Sequence, residues 1–181
     1  MKFFAYLVPF IFNLYVMSSS LKIDFGTDQQ QDWKITNDGV MGGLSEGTAE
    51  FTKGHLIFSG EVSLENNGGF SSFKSQFEEM DLSDYESVKI RLKTNGYQLA
   101  FTLEVDRRWY MPYFKHAISV TPNEWEVVEI PLTAFKEYRI GDQTGKSLEK
   151  QQLKEVLRVG FITNEKRAGN FHAEIDYIEF Q

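Results

Sequence analysis

The sequence predicts an all-β sandwich of jelly-roll type with one short helix. Three observations carry that expectation. From Leu21 onward the hydrophobic period is two rather than 3.6. Turn signals separate runs that begin about 8–12 residues apart. Only one stretch, "SLEKQQLKEVL", has helical patterning, with Leu148, Leu153, Val156 and Leu157 set among polar residues.

The elements follow in order. "HLIFSGEVSL" reads as a strand from His55 to Leu64 with a bend at Gly60, and "GGFSSFKSQF" places Phe70 and Phe73 near a sheet. In "SVKIRLKT" Val88, Ile90 and Leu92 point one way and Lys89, Arg91 and Lys93 the other. "QLAFTLEVD" puts Leu99, Phe101, Leu103 and Val105 on one face. "KHAISV" and "WEVVEIPL" are two further strands. "LRVGFIT" and "FHAEIDYIEF" close the set, with Ala173, Ile175 and Tyr177 expected on one side of the last. Thr94-Asn95-Gly96, Thr121-Pro122-Asn123 and Gly169-Asn170 are the turn signals between them. One helix among some ten strands cannot build a doubly wound sheet.

A chain of 181 residues holds one domain with a real core. Sixteen Phe, eight Tyr and three Trp supply the apolar volume. The formal charge is −7 with acids and bases interspersed, so the basic stripe that a nucleic-acid groove needs is missing. The chain has no cysteine, which excludes disulfide scaffolds, thiolate zinc sites and thiol nucleophiles.

The first twenty residues, "MKFFAYLVPFIFNLYVMSSS", differ from the rest. A basic start, an apolar run shorter than the roughly 20 residues of a membrane span, and small residues Ser18 and Ser20 before Leu21 read as a secretory signal. The alternatives are an uncleaved anchor or a start at Met17. Residues 1–20 are therefore expected to be a signal or anchor, and 21–181 the single folded domain. The protein is then exported, periplasmic or membrane-associated if the signal is real, and cytoplasmic otherwise.

Two glycine-rich stretches are the candidate loops. "NDGVMGGLSEG" contains Gly43-Leu44-Ser45-Glu46-Gly47, a G-x-S-x-G pattern. A nucleophile elbow needs a buried strand before the serine and a helix after it. Here a polar glycine loop precedes Ser45 and the alternating "TAEFTKG" follows, so Ser45 is not expected to be a nucleophile. Nor is there a G-x-G-x-x-G or Gly-Lys-Ser/Thr phosphate loop. The glycines are expected to permit unusual backbone conformations while Asn37 and Asp38 bond local amides. Val40 and Met41 must then either plug the sandwich end or face a partner. "ENNGGF" is the second such loop, with Asn67-Gly68 as a tight-turn signal. Asn37, Asp38, Gly39, Met41, Gly42 and Gly43 are expected to shape one partner-binding loop. Asn66, Asn67, Gly68, Gly69 and Phe70 are expected to shape the other.

The remaining candidates are weaker. His55, His116 and His172 sit in separate strands without zinc spacing. Glu174 and Asp176 lie two apart on the last strand and Asp24 near the first, which offers oxygen ligands for a structural calcium; a solvated sheet face is the favoured explanation of them. Glu104 and Asp106 read as the exposed face of their strand. "DRRWYMPYF" gathers Arg107, Arg108, Trp109, Tyr110 and Tyr113, types enriched at interfaces and sugar platforms. Trp109 and Tyr110 are the expected ligand-facing aromatics.

Taken together, "WKITNDGVMGGLS" at 33–45 and "FSGEVSLENNGGFSS" at 58–72 resemble the complex I intermediate-associated protein 30 family. So do "DLSDYESVKIRLKTNG" at 81–96, "WEVVEIPLTAF" at 125–135 and "GNFHAEIDYI" at 169–178. One departure is Lys74, where the family pattern leads one to expect arginine. The resemblance implies a galactose-binding-like β-sandwich without catalytic residues or cofactor. It also implies a chaperone-like assembly factor whose partner is a respiratory-complex subunit or intermediate. Carbohydrate binding by an exported module is the alternative, and catalysis finds no supporting constellation.

Overall fold

The computed structural model describes residues 20–27 and 32–181. The expected leader lies outside the described residues apart from Ser20. No helix among the described residues is long and apolar enough to cross a membrane.

Two antiparallel sheets form the sandwich. Strands are numbered in chain order: β1 Leu21–Asp24, β2 Lys34–Asn37, β3 Glu46–Phe51, β4 Leu56–Val62, β5 Ser71–Lys74, β6 Ser87–Thr94 and β7 Leu99–Glu104. They continue with β8 Tyr113–Ile118, β9 Glu126–Pro131, β10 Lys136–Arg139, β11 Asp142–Ser147, β12 Arg158–Thr163 and β13 Gly169–Phe180. One sheet runs β3-β4-β13-β6-β9, with β1 paired to the end of β13; the other runs β11-β10-β8-β7-β12-β5-β2. The jelly-roll sandwich read from the period-two pattern is the observed architecture.

Alternation sets which face is buried. Leu56, Phe58, Val88, Ile90, Leu92 and Ile175 from the six-stranded sheet meet Phe73, Leu99, Phe101, Leu103 and Phe161 from the seven-stranded one. Aromatic pairs bridge them: Phe58 and Phe73 have ring centroids 6.0 Å apart, and Phe101 and Phe180 6.3 Å apart. Trp33 stacks on Phe73 at 4.9 Å and meets the edge of Phe25 at 5.1 Å, closing one corner.

Three local expectations are corrected. β13 carries an extra residue at Asp176, where its register with β6 shifts between Ile175 and Tyr177. That bulge reverses the alternation, so Ile178 and Phe180 fill the core while Tyr177 is only half-buried. The helix shrinks to α1, Lys150–Leu153, one turn closed by a capping box between Glu149 and Gln152. Finally, β10 and β11 form a hairpin that the pattern did not reveal. Its turn uses positive φ at Ile140 (50°) and Gly141 (86°), and β11 is exposed along nearly its whole length, so neither a usual turn dipeptide nor an apolar alternation marks it.

Candidate functional site

The two glycine-rich loops meet at one rim, and a single carboxylate joins them. Residues 38–41 form a 3-10 turn after β2, and 65–67 form another after β4. Asp38, 1% exposed, points between them. Its Oδ1 accepts the Ser45 amide at 2.9 Å, and its Oδ2 accepts the Ser45 hydroxyl at 2.5 Å. Oδ2 also accepts the amides of Gly69 at 2.6 Å and Phe70 at 3.1 Å. The Asp38 amide donates back to the Phe70 carbonyl at 3.2 Å. Burial alone would raise this carboxyl's pKa, but the donors from Ser45, Gly69 and Phe70 outweigh it and hold the pKa below its ordinary value.

The glycines make room for that carboxylate. A Cβ at Gly43 would lie 2.4 Å from the Asp38 Cγ, and one at Gly68 would lie 2.7 Å from its Oδ2. Asn66 and Asn67 take the left-handed turn at φ of 54° and 59°, a region asparagine tolerates. Ser45 is occupied on both sides: besides donating to Asp38, its oxygen accepts the Ser63 amide at 3.0 Å. No imidazole joins that network, and the G-x-S-x-G pattern is a by-product of building the rim.

Fixing the loops leaves their apolar residues outside. Val40 is 75% exposed, Met41 59% and Leu44 54%, and Leu64, which precedes the 65–67 turn, 45%. The rim is not plugged by its own tip. Gly39, Gly42 and Phe70 belong to the same turn network, and Asn37 accepts the Ser71 hydroxyl at 2.7 Å.

A second polar region lies on the outer face of the seven-stranded sheet, which the sequence pattern did not single out. Register places Lys34, Lys74, Gly160, Thr102, Lys115 and Lys136 in one row. Arg158, Glu104, Tyr113 and Tyr138 form the next. Glu104 is not the exposed carboxylate expected from alternation. It is buried between Lys74 Nζ at 2.6 Å and Arg158 Nε at 2.9 Å. Lys74, the departure from the family pattern, thus makes a single-point contact, and Arg158 supplies the guanidinium. Tyr113 and Tyr138 have ring centroids 6.2 Å apart and planes tilted by 32°. Burial, with Glu104 and Tyr138 nearby, pushes the Tyr113 hydroxyl up to about 12, so it stays a proton donor at neutral pH. Trp109, 73% exposed, and Tyr110, 41% exposed, lie in the loop that enters β8. Arg139 Nε on β10 donates to the Tyr110 carbonyl at 3.3 Å, tying that loop to this sheet.

The three carboxylates considered for a calcium have protein partners. Asp24 accepts Lys22 Nζ at 2.8 Å and the Gly26 amide at 3.0 Å. Asp176 pairs with Arg91, and Glu174 pairs with Lys93 at 2.6 Å, with His55 at 3.3 Å and His172 at 3.6 Å on its two oxygens. These carboxylates therefore sit in ion pairs along the outer face of the six-stranded sheet. No group of three His, Cys, Asp or Glu among the described residues could hold a metal ion.

Residues 23–175 match the family model described as complex I intermediate-associated protein 30. The chain belongs to that family. The solved structures it resembles show the fold of this family member in other settings. One is a family 11 carbohydrate-binding module of a cellulosomal cellulase of Clostridium thermocellum, at a TM-score of 0.69 and 14% identity over 90% of this chain and 94% of that one. Another is the family 11 module of the same organism in complex with a β-1,3-1,4-mixed-linked tetrasaccharide, at 0.68 and 15% identity over 89% of this chain and 94% of that one. An agarase matches at 0.57 and 10% identity, over 89% of this chain and 24% of its own. No curated protein matched the chain. At such identities the likeness is one of fold, and function must be argued from the site.

Proposed function

We propose that this chain is a non-enzymatic protein-binding module whose carboxylate-locked rim docks a partner, in an assembly-related role that the family description supports. The observation that carries the reading is the pairing of a rigid base with an exposed apolar tip. Asp38 spends its oxygens on both loops, and Val40, Met41 and Leu44 stand in solvent above them. A pre-ordered loop loses little entropy on binding, which favours affinity without a large contact area. Apolar residues on a polar rim are the usual centre of a docking patch. Ser45 and Glu104 are both engaged structurally, so neither offers a reactive group. The partner would be a complex I intermediate, a reading supported by the family's name.

The test is photo-crosslinking from position 41 in solubilised membranes, with identification of the attached chains. Complex I subunits captured by the parent protein and lost in Val40→Asp/Met41→Asp, with unchanged melting temperature, support the reading. Equal capture by the double variant, or no complex I subunit at all, overturns it.

A second reading, saccharide binding, is favoured by a separate observation. The tyrosine pair Tyr113–Tyr138 lies on a sheet face that also carries hydroxyl, amide and charged groups, and Trp109 is exposed in the loop that enters β8. Stacking rings plus converging polar groups are what a sugar site requires.

A further inference from the structure

The outer face of the seven-stranded sheet holds two features that its own packing does not satisfy. The first is the Thr102 hydroxyl. Thr102 lies between Gly160 and Lys115 in register and faces away from the core filled by Phe101 and Leu103. It is 1% exposed, yet its Oγ1 has no hydrogen-bond partner. Buried hydroxyls are nearly always paired, so an orphan is expensive unless something completes it.

The second is the charge balance. Lys34, Lys74, Lys115, Lys136 and Arg158 share the face with one strand carboxylate, Glu104, in a protein whose net charge is −7. Lys74 and Arg158 are committed to Glu104. Lys115 has no carboxylate partner among the described residues. Its Nζ donates to Asn164 Oδ1 at 2.8 Å and lies 4.2 Å from the centre of the Tyr138 ring. Burial, with Lys166 nearby, lowers its pKa, which means that its positive charge is under-compensated. An anion placed there would regain that energy and accept the Thr102 proton.

We infer that this face binds an acidic saccharide, with Lys115 Nζ pairing the sugar carboxylate, the Thr102 hydroxyl donating to it, and the Tyr113–Tyr138 rings carrying the adjacent sugar face. The inference rests on the saccharide reading above and names its substrate class. Both halves of the ligand are specified by the face itself: a carboxylate by a lysine without a carboxylate partner in the same row as an unpaired hydroxyl, and a flat, C–H-rich ring by two neighbouring tyrosines. A neutral oligosaccharide would leave the lysine uncompensated. Lysine and hydroxyl donors suffice to bind a carboxylate.

The test uses calorimetry on the described domain within the full chain, with a trisaccharide of galacturonic acid, a neutral cello-oligosaccharide of similar length and a Glu-rich peptide as probes. The expected result is binding of the uronide, with roughly tenfold or greater loss in Lys115→Met, which keeps the stem and removes the charge. Thr102→Val is expected to weaken uronide binding severalfold while remaining folded. It therefore separates a binding role from a structural one. Equal binding of the neutral sugar, or binding unaffected by either substitution, overturns the acidic class and leaves the saccharide reading standing. Binding of neither sugar overturns both, and binding of the peptide alone overturns both in favour of a protein ligand.

Discussion

Asp38 and Thr102 are both buried polar side chains near the surface of the same sandwich, and their surroundings have opposite character. Asp38 receives four hydrogen bonds on its two oxygens, from Ser45 (amide and hydroxyl), Gly69 and Phe70. Thr102 Oγ1 receives and gives none. The saturated group has nothing left to offer a ligand. Its work is internal, and function at the rim passes to the apolar residues it holds out. The unsaturated group does nothing evident for the fold, and its stability cost makes sense only if something else completes it. Hydrogen-bond accounting thus sorts the two regions into a device for shaping backbone and a candidate point of contact. The six-stranded sheet supports the same sorting, because its outer charges are matched: Lys93 with Glu174, Arg91 with Asp176, Lys89 with Glu129.

Removing the saturated carboxylate should have the largest effect. Asp38→Ala strands the amides of Ser45, Gly69 and Phe70 and is expected to cost about 3 kcal/mol in urea unfolding. Both loops should lose order together, which amide hydrogen exchange at 42–45 and 68–70 would report. A loss confined to one loop would break the picture of a single bridging group. The same carboxyl gives a pH signature. Its folded pKa lies below the ordinary 3.8, so its contribution is complete above that value and fades as pH falls through and below it. Asp38→Asn should lose that portion of the acid dependence while the rest of the profile persists. An intermediate effect is expected from Gly43→Ala. Its methyl would collide with Asp38 at 2.4 Å, costing about 2 kcal/mol, and the cost should largely vanish in the Asp38→Ala background. Additive costs would show that the glycine serves some other contact.

Much of this was legible in the sequence, and the reasons are specific. Strand β6 alternates so cleanly that its bounds follow from Val88, Ile90 and Leu92 alone. The turns at Gly96, Asn123 and Gly169 have the positive φ their residue types announce. The composition of the glycine loops predicted a backbone role for Asn37 and Asp38 but not that Asp38 reaches 31 residues ahead to Gly69, because no local pattern encodes a cross-loop contact. Strand β13 defeated the face assignment at Tyr177, since one bulge residue inverts every later position. Glu104 looked solvated for a related reason. Period two gives the face of a residue but not whether neighbouring strands carry lysine and arginine long enough to cover it. The polar face around Lys115 was invisible because its members come from β2, β5, β7, β8, β10 and β12, which only the strand order brings together.

The smallest expected effect is the most discriminating. Thr102→Val keeps the shape of the side chain and deletes the one buried side-chain polar atom among the described residues that lacks a partner. If the hydroxyl is an uncompensated cost in the free protein, the substitution should stabilise by about 1 kcal/mol. For a chain of this size that raises the melting temperature by roughly 2–4 °C. A mutation that stabilises the empty protein and weakens its ligand complex is the signature of a group retained for binding rather than for folding. Destabilisation instead would mean that the hydroxyl is paired in solution, by a water molecule inside the sheet face. Asp38 and Thr102 would then differ only in the identity of their partners.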